Sequence, residues 1–328
     1  MSRVAVLGPG SWGTTLAVHL AQAGNEVALW GNDATELEAL ASRRENVKFL
    51  PGIALPRGVN VQPQLEAALE GAEFTLFVVP SQAVRAVAAQ VRATGARSLW
   101  VCASKGLEVA TLGRLSEALL QTLDDAAVVL TGPSHAEEVS RGIPTSVVAA
   151  CADEARARRV QALCSTGSFR VYTNADVAGC EYGAALKNVI AIAAGVCDGL
   201  GFGDNTKGAL LTRGLHEMAR VGVALGGRRE TFFGLSGLGD LIATAMSRHS
   251  RNRHVGECIG RGESLERVLA GMVMVAEGVT TARAARDIAR ARGIDVPIIE
   301  QVAGMLFESR PPREALQALM SRELKAEN

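Results

Sequence analysis

Several kinds of residue are scarce in this 328-residue sequence, and each scarcity removes a class of function. Aromatic residues are only 4%, with two tyrosines and eight phenylalanines, which leaves little for stacking nucleic-acid bases. Basic and acidic residues balance at 34 each, so no net positive field draws the chain to nucleic acid. The basic clusters at 156–159 and 283–292 lie on helical patterns and read as solvated faces. No uncharged apolar run approaches the roughly 20 residues that span a bilayer. The nearest, 189–196, is flanked by Lys187 and Asp198. An apolar strand at 4–7 starts the fold at once, which reads as a chain without a signal peptide. The six cysteines form no CxxC pair and have no histidine at ligand spacing. They read as reduced core thiols, and no metal site is assigned. Together these features point to a soluble cytoplasmic protein with no membrane span and no nucleic-acid partner.

What is present begins at the first residues. A length of 328 favours two domains over a single core. Residues 3–7 read as a strand, and Gly8, Gly10 and Gly13 complete G-x-G-x-x-G. Residues 14–23 read as a helix and 26–30 as a second strand. That is the context a dinucleotide fingerprint needs: a tight turn, close backbone approach to a pyrophosphate and a helix N-terminus for the anion. An acidic residue after the second strand would take a ribose 2′-hydroxyl, and a basic one a 2′-phosphate. Here neutral Asn32 comes first, Asp33 follows, and the nearest arginines are Arg43 and Arg44. The choice between NAD and NADP stays open.

The α/β rhythm continues with strands at 74–79, 98–103 and 128–130, then 146–150 and 169–172. Several end in polar or glycine-rich turns, as in a doubly wound sheet with its ligand at the strand carboxyl ends. Lys105 stands in one such turn, as an exposed loop residue or an anion ligand. Gly132 and Ser134 stand in another, where Ser134 with Glu137 also reads as an ordinary helix cap. The sheet should end near residue 178. Beyond 179 the patterns are helical, at 181–199, 206–225, 240–245, 264–270, 281–292 and 298–306. The expected fold is therefore α/β, with a Rossmann-like doubly wound sheet over 1–178 and an all-α domain over 179–328.

The stretch 181–203 is the most unusual. It reads as a helix apolar nearly all round, interrupted by Lys187 and Asn188. A lysine there must snorkel out, pair with a charge or sit in a polar pocket. Residues 234–241 are too glycine-rich for a helix interior and bring Asp240 to a helix start, where it could be only a cap. Ser250, Arg251 and Asn252 gather donors suited to a phosphate, although a solvated loop explains them as well. His249 and His254 read as surface or packing residues.

Together the segments GPGSWGTTLA, ASKGLE, LTGPSHAEEV, ALKNVIAIAAGVCDGLGFGDNTKGALLTRGL, GLSGLGDLIAT, SRHSRNRHVG and VAEGVTTA resemble the bacterial NAD(P)-dependent glycerol-3-phosphate dehydrogenases. The resemblance covers roughly residues 3–310. It implies that Lys187 is the proton donor and acceptor. It implies that Lys105, Gly132, Ser134, Asp240, Ser250, Arg251 and Asn252 bind substrate, with Asn188 and Thr244 as further polar residues of the site. Ser11, Trp12, Lys105, Ala136, Arg251, Val275 and Glu277 fall at its cofactor positions. Asn32 departs from the basic residue or histidine often found after the second strand. The implied substrate is a small phosphorylated three-carbon compound, the cofactor NADP or NAD, and the route one that supplies phospholipid synthesis. Subunit number is left open, a homodimer among the options. Two rivals share the outline: a dehydrogenase of β-hydroxy acids, whose carboxylate the 250–252 group would clamp, and a non-catalytic dinucleotide sensor.

Overall fold

The first strand is buried on both of its sides. Val4 and Val6 face one core and Ala5 and Leu7 another, and all four are fully buried. Such a strand belongs in the middle of a sheet covered on both faces. The computed structural model describes residues 1–324, 326 and 327 and places it there. The strands are β1 (Arg3–Leu7), β2 (Glu26–Trp30), β3 (Val59–Gln62), β4 (Phe74–Phe77), β5 (Leu99–Cys102), the hairpin pair β6 (Leu107–Glu108) and β7 (Gly113–Arg114), β8 (Val128–Thr131), β9 (Thr145–Ala150) and β10 (Phe169–Asn174). Eight of them form one sheet in the order β10-β9-β8-β5-β4-β1-β2-β3. The order reverses between β1 and β4, the switch point at which doubly wound sheets bind ligand. One feature departs from a wholly parallel sheet: β9 runs antiparallel to β8, and β10 follows β9.

Seven helices connect these strands: α1 (Ser11–Gln22), α2 (Ala34–Arg43), α3 (Leu65–Leu69), α4 (Val84–Ala93), α5 (Leu115–Leu123), α6 (Ala136–Val139) and α7 (Glu154–Cys164). After Asn174 no strand occurs among the described residues. The chain continues as α8 (Val177–Gly199), α9 (Asp204–Ala224), α10 (Arg229–Phe232), α11 (Asp240–Met246), α12 (Arg251–Gly260), α13 (Leu265–Ala270), α14 (Glu277–Arg292), α15 (Pro297–Phe307) and α16 (Pro312–Met320). The expected elements therefore form, most of them shifted by one to four residues at an end.

The hub of the second half is α8, which packs against α9, α11, α12, α14 and α15. By length and composition it could cross a membrane, yet its most apolar stretch is wholly buried inside the protein. Its closest neighbour is α12. A Cβ on Gly195 would lie 1.9 Å from the Arg253 carbonyl oxygen, and one on Gly256 would lie 1.9 Å from that of Ile192. The two backbones touch, and only glycine permits it.

Three expectations need correction. Residues 250–254 are not a solvated loop: Arg251 opens α12, and Ser250 caps it by accepting the Arg253 amide at 3.1 Å. The glycine-rich segment Leu235–Gly239 is wound as a π-turn running directly into α11. The basic run 283–292 is not purely a solvated face. Arg286 is buried and bonds Glu308 at 2.6 Å, because its position on α14 faces inward. All six cysteines are buried and unpaired.

Since the α8–α12 contact has no room for a methyl group, Gly256→Ala should force the helices apart. The expected loss of stability is at least about 1–3 kcal/mol, the usual cost of overpacking. Urea denaturation would read it, and an unchanged midpoint would contradict the packing.

Candidate active site

Four adjacent strands of the sheet, β1, β4, β5 and β8, end in loops that carry the polar residues of the site. The turn after β1 is shaped by its glycines. Gly8 has φ +115°, and a Cβ on Gly13 would lie 1.8 Å from the Gly8 carbonyl oxygen. Gly10 caps α1 without any side-chain bond, no acidic residue stands in the first turn, and a Cβ on Gly10 would meet nothing within 4 Å. The first amides of α1, those of Ser11 and Trp12, thus have no capping side chain and stand beside a glycine cradle, which fits a dinucleotide pyrophosphate. Trp12 contributes backbone there, because its ring turns inward to Phe169 with centroids 6.5 Å apart. Buried Asn46, which sequence reading missed, donates to the Pro9 carbonyl at 2.7 Å and to Thr14 Oγ1 at 2.8 Å, pinning the turn. No local pattern marked it, since it lies 37 residues from Pro9.

Next to this cradle, two lysines meet one carboxylate. Lys187 lies mid-helix in α8 and is 5% exposed. Its Nζ donates to Asp240 Oδ1 at 3.0 Å and to Thr244 Oγ1 at 2.6 Å. Thr244 in turn donates to Asp240 Oδ1 at 3.2 Å, one turn away on α11. From the other half, Lys105 in the turn after β5 donates to Asp240 Oδ2 at 2.9 Å, to the Gly132 carbonyl at 2.7 Å and to Ser134 Oγ at 3.2 Å. Lys187 therefore does not snorkel. Asp240 is not a cap either, since Gly239 occupies that position and the carboxylate is taken by the lysines. Nor does Ser134 cap α6: His135 holds that place without a side-chain bond, and Ser134 Oγ turns to the Gly132 carbonyl at 2.9 Å.

Electrostatics follow from this geometry. Burial lowers the Lys187 pKa and outweighs the stabilising charge of Asp240, while Lys105 and Arg251 push it further down, to about 8. For Asp240 burial acts upward, but the two lysines outweigh it and hold the carboxyl below its usual range. Two cations share one anion, so the cluster keeps a net positive charge in a largely dry setting. An anionic substrate would complete it.

A second network joins three helices. Asn252 Nδ2 donates to Asn188 Oδ1 at 2.8 Å, and Asn252 Oδ1 accepts the Gly278 amide at 2.9 Å. This ties α12 to α8 and to the start of α14. Neighbouring Arg251 donates to the Val275 carbonyl at 2.7 Å, its only hydrogen bond among the described residues, and keeps its other guanidinium donors. Glu277, the first residue of α14, accepts the Ser81 amide at 2.9 Å and the Ser81 hydroxyl, which links the helical half to the turn after β4. Burial raises its pKa. Ala136 opens α6, and its carbonyl accepts Thr15 Oγ1 at 3.2 Å, docking α6 on α1. Asn32 stands apart, at the rim of a cleft beyond β2.

Lys105, Gly132, Ser134, Lys187, Asp240 and Thr244 thus form one bonded cluster, and Asn188 with Asn252 another. His135 joins them without having been singled out. Its Nε2 lies 3.2 Å from the Ala243 carbonyl oxygen, and burial lowers its pKa. The segment LTGPSHAEEV contains it, but nothing in its spacing marked it.

Comparison with known proteins agrees with this layout. The family profile described as NAD-dependent glycerol-3-phosphate dehydrogenase N-terminus matches residues 3–157, and its C-terminus counterpart matches 176–317. A Chlorobium limicola protein named glycerol-3-phosphate dehydrogenase (NAD(P)+) is 48% identical, covering 99% of both chains. One of the same name from Geobacter sp. strain M21 is 50% identical, covering 99% of this chain and 98% of that one. The crystal structure of glycerol-3-phosphate dehydrogenase from Coxiella burnetii superposes with a TM-score of 0.95 at 34% identity, covering 98% of this chain and 99% of its own.

If Asp240 sustains the charge on Lys187, Asp240→Asn should lower the Lys187 pKa below about 8. Lysine-selective ¹³C NMR titration would follow it. An unchanged or higher value would refute the pairing.

Proposed function

The chain belongs to the NAD-dependent glycerol-3-phosphate dehydrogenase family, and from that premise we propose a role for each residue of the site. The enzyme interconverts sn-glycerol 3-phosphate and dihydroxyacetone phosphate with NAD(P), and so supplies glycerol 3-phosphate for phospholipid synthesis. The bound dinucleotide supplies the hydride chemistry, which no side chain offers. The glycine cradle with the amides of Ser11 and Trp12 would hold its pyrophosphate. Lys105, Ala136, Arg251, Val275 and Glu277 would complete the dinucleotide site.

Proton movement falls to Lys187. In the oxidising direction its neutral amine accepts the C2 hydroxyl proton; in the reducing direction its ammonium polarises the carbonyl and donates that proton. A pKa of about 8 leaves both forms accessible near neutrality. Asp240 and Thr244 orient Nζ, and Lys105 turns Asp240 and Ser134 toward the same point. Arg251 clamps the substrate phosphate with its remaining donors, helped by Ser250, which accepts the Arg253 amide but keeps its own hydroxyl hydrogen. Asn252 and Asn188 hold Arg251 at its distance from Lys187. The observation that carries this reading is the buried Lys187 ammonium on Asp240, 3.0 Å away, with Lys105 on the other oxygen. A sensor has no use for that arrangement.

The same reading divides the chain into a nucleotide unit, 1–178, and a substrate unit, 179–328. It places the enzyme in the cytoplasm, and a homodimer is its simplest assembly.

Two variants separate the roles. Lys187→Ala should cut kcat by about 10²–10⁴-fold while dinucleotide affinity, measured by fluorescence titration, stays within a few-fold. Arg251→Ala should act mainly on KM for dihydroxyacetone phosphate. Near-normal turnover in the first, or an unchanged KM in the second, would remove the corresponding assignment.

A further inference from the structure

The end of β2 carries information about which dinucleotide the site prefers. The Gly8 amide donates to the Trp30 carbonyl at 2.8 Å, and a Cβ on Gly31 would lie 2.7 Å from the Pro9 ring. The turn after β2 thus abuts the phosphate cradle. Beyond it opens a cleft of about 500 Å³ whose polar side chains are Asn32, Gln64, Glu66 and Gln90. Three are neutral amides and the fourth is a carboxylate. Asp33, next to Asn32, accepts the Glu36 amide at 3.0 Å as the cap of α2.

The basic side chains nearby are engaged or distant. Arg44 donates to the carbonyls of Val59 at 2.9 Å, Leu55 at 3.3 Å and Pro56 at 2.5 Å. Lys48 pairs with Glu36. Arg43 lies in the last turn of α2, about 14 Å along the helix from its start. An asparagine amide offers a donor and an acceptor to a ribose hydroxyl. A phosphate at the same carbon would bring close to two negative charges toward Glu66, with no cation among the described residues that line the cleft to receive them.

We propose that this enzyme prefers NADH over NADPH, and that Asn32 is the residue that sets the preference. The proposal rests on the reading that the dinucleotide lies across the cradle and this cleft. Discrimination comes from the ribose end, remote from Lys187, so it acts on dinucleotide affinity rather than on proton transfer.

The test is direct binding by isothermal titration calorimetry with NADH and NADPH, on wild type, Asn32→Arg and Glu66→Gln, alongside initial rates with dihydroxyacetone phosphate. Wild type should bind NADH at least about ten-fold more tightly, roughly what one uncompensated charge contact costs near a surface. Asn32→Arg should tighten NADPH by a similar factor, and Glu66→Gln should tighten it less. NADPH binding as tightly as NADH, with turnover intact, would overturn the preference and leave the activity standing. Tight NADH selectivity that Asn32→Arg leaves unmoved would overturn the role of Asn32. Binding of neither dinucleotide would overturn the underlying reading of the cradle together with the preference.

Discussion

Everything in this site depends on one carboxylate held between two ammonium groups. Asp240 takes Lys187 of α8 on one oxygen and Lys105 of the β5 turn on the other. Burying any of the three alone would be costly, and the pairing makes their burial tolerable. Because the lysines come from opposite halves of the chain, the same carboxylate also joins the sheet to the helices. A variant that neutralises it leaves two buried cations facing each other, so its effects should reach stability as well as chemistry.

The surrounding fold explains how that cluster is kept dry and in register. Adjacent strand ends bring the nucleotide turn, Ser81, Lys105 and Gly132 to one edge of the sheet. Buried α8 then carries Lys187 to the same edge, with α12 pressed against it at Gly195 and Gly256. That contact sets the spacing of Asn188 and Asn252, and through them the position of Arg251. The apolar helix lowers the lysine pKa, the anion keeps it from falling too far, and the excess positive charge selects for an anionic substrate.

Much of this could be read before any coordinates, and what could not has a physical reason. Short apolar runs ending in polar or glycine-rich turns and G-x-G-x-x-G announced the sheet and the cradle, because both are local patterns. Lys187 stood out because a charge in an apolar helix is anomalous on its face. Asp240 and Ser134 were legible only as candidates, since a cap and a charge partner share the same residue types and the choice depends on Lys105, which lies 135 positions from Asp240 and 29 from Ser134. Asn46, His135 and the Ser81–Glu277 link were invisible because their partners lie 37, 108 and 196 positions away, beyond any local pattern. Arg286 was misplaced because a run of arginines hides the one that faces inward, and Leu235–Gly239 because glycine density argues against a regular helix but not against a single wide turn.

Catalysis requires Lys187 to exchange a proton in a setting that brings its pKa to about 8. The most direct measurement is the pH dependence of kcat in both directions. Oxidation of glycerol 3-phosphate needs the neutral amine, so its rate should climb with pH and level off above about 8. Reduction of dihydroxyacetone phosphate needs the ammonium, so its rate should be level below that pH and decline above it. Profiles that bend together in the same direction, or that keep the same inflection in Lys187→Ala, would contradict it.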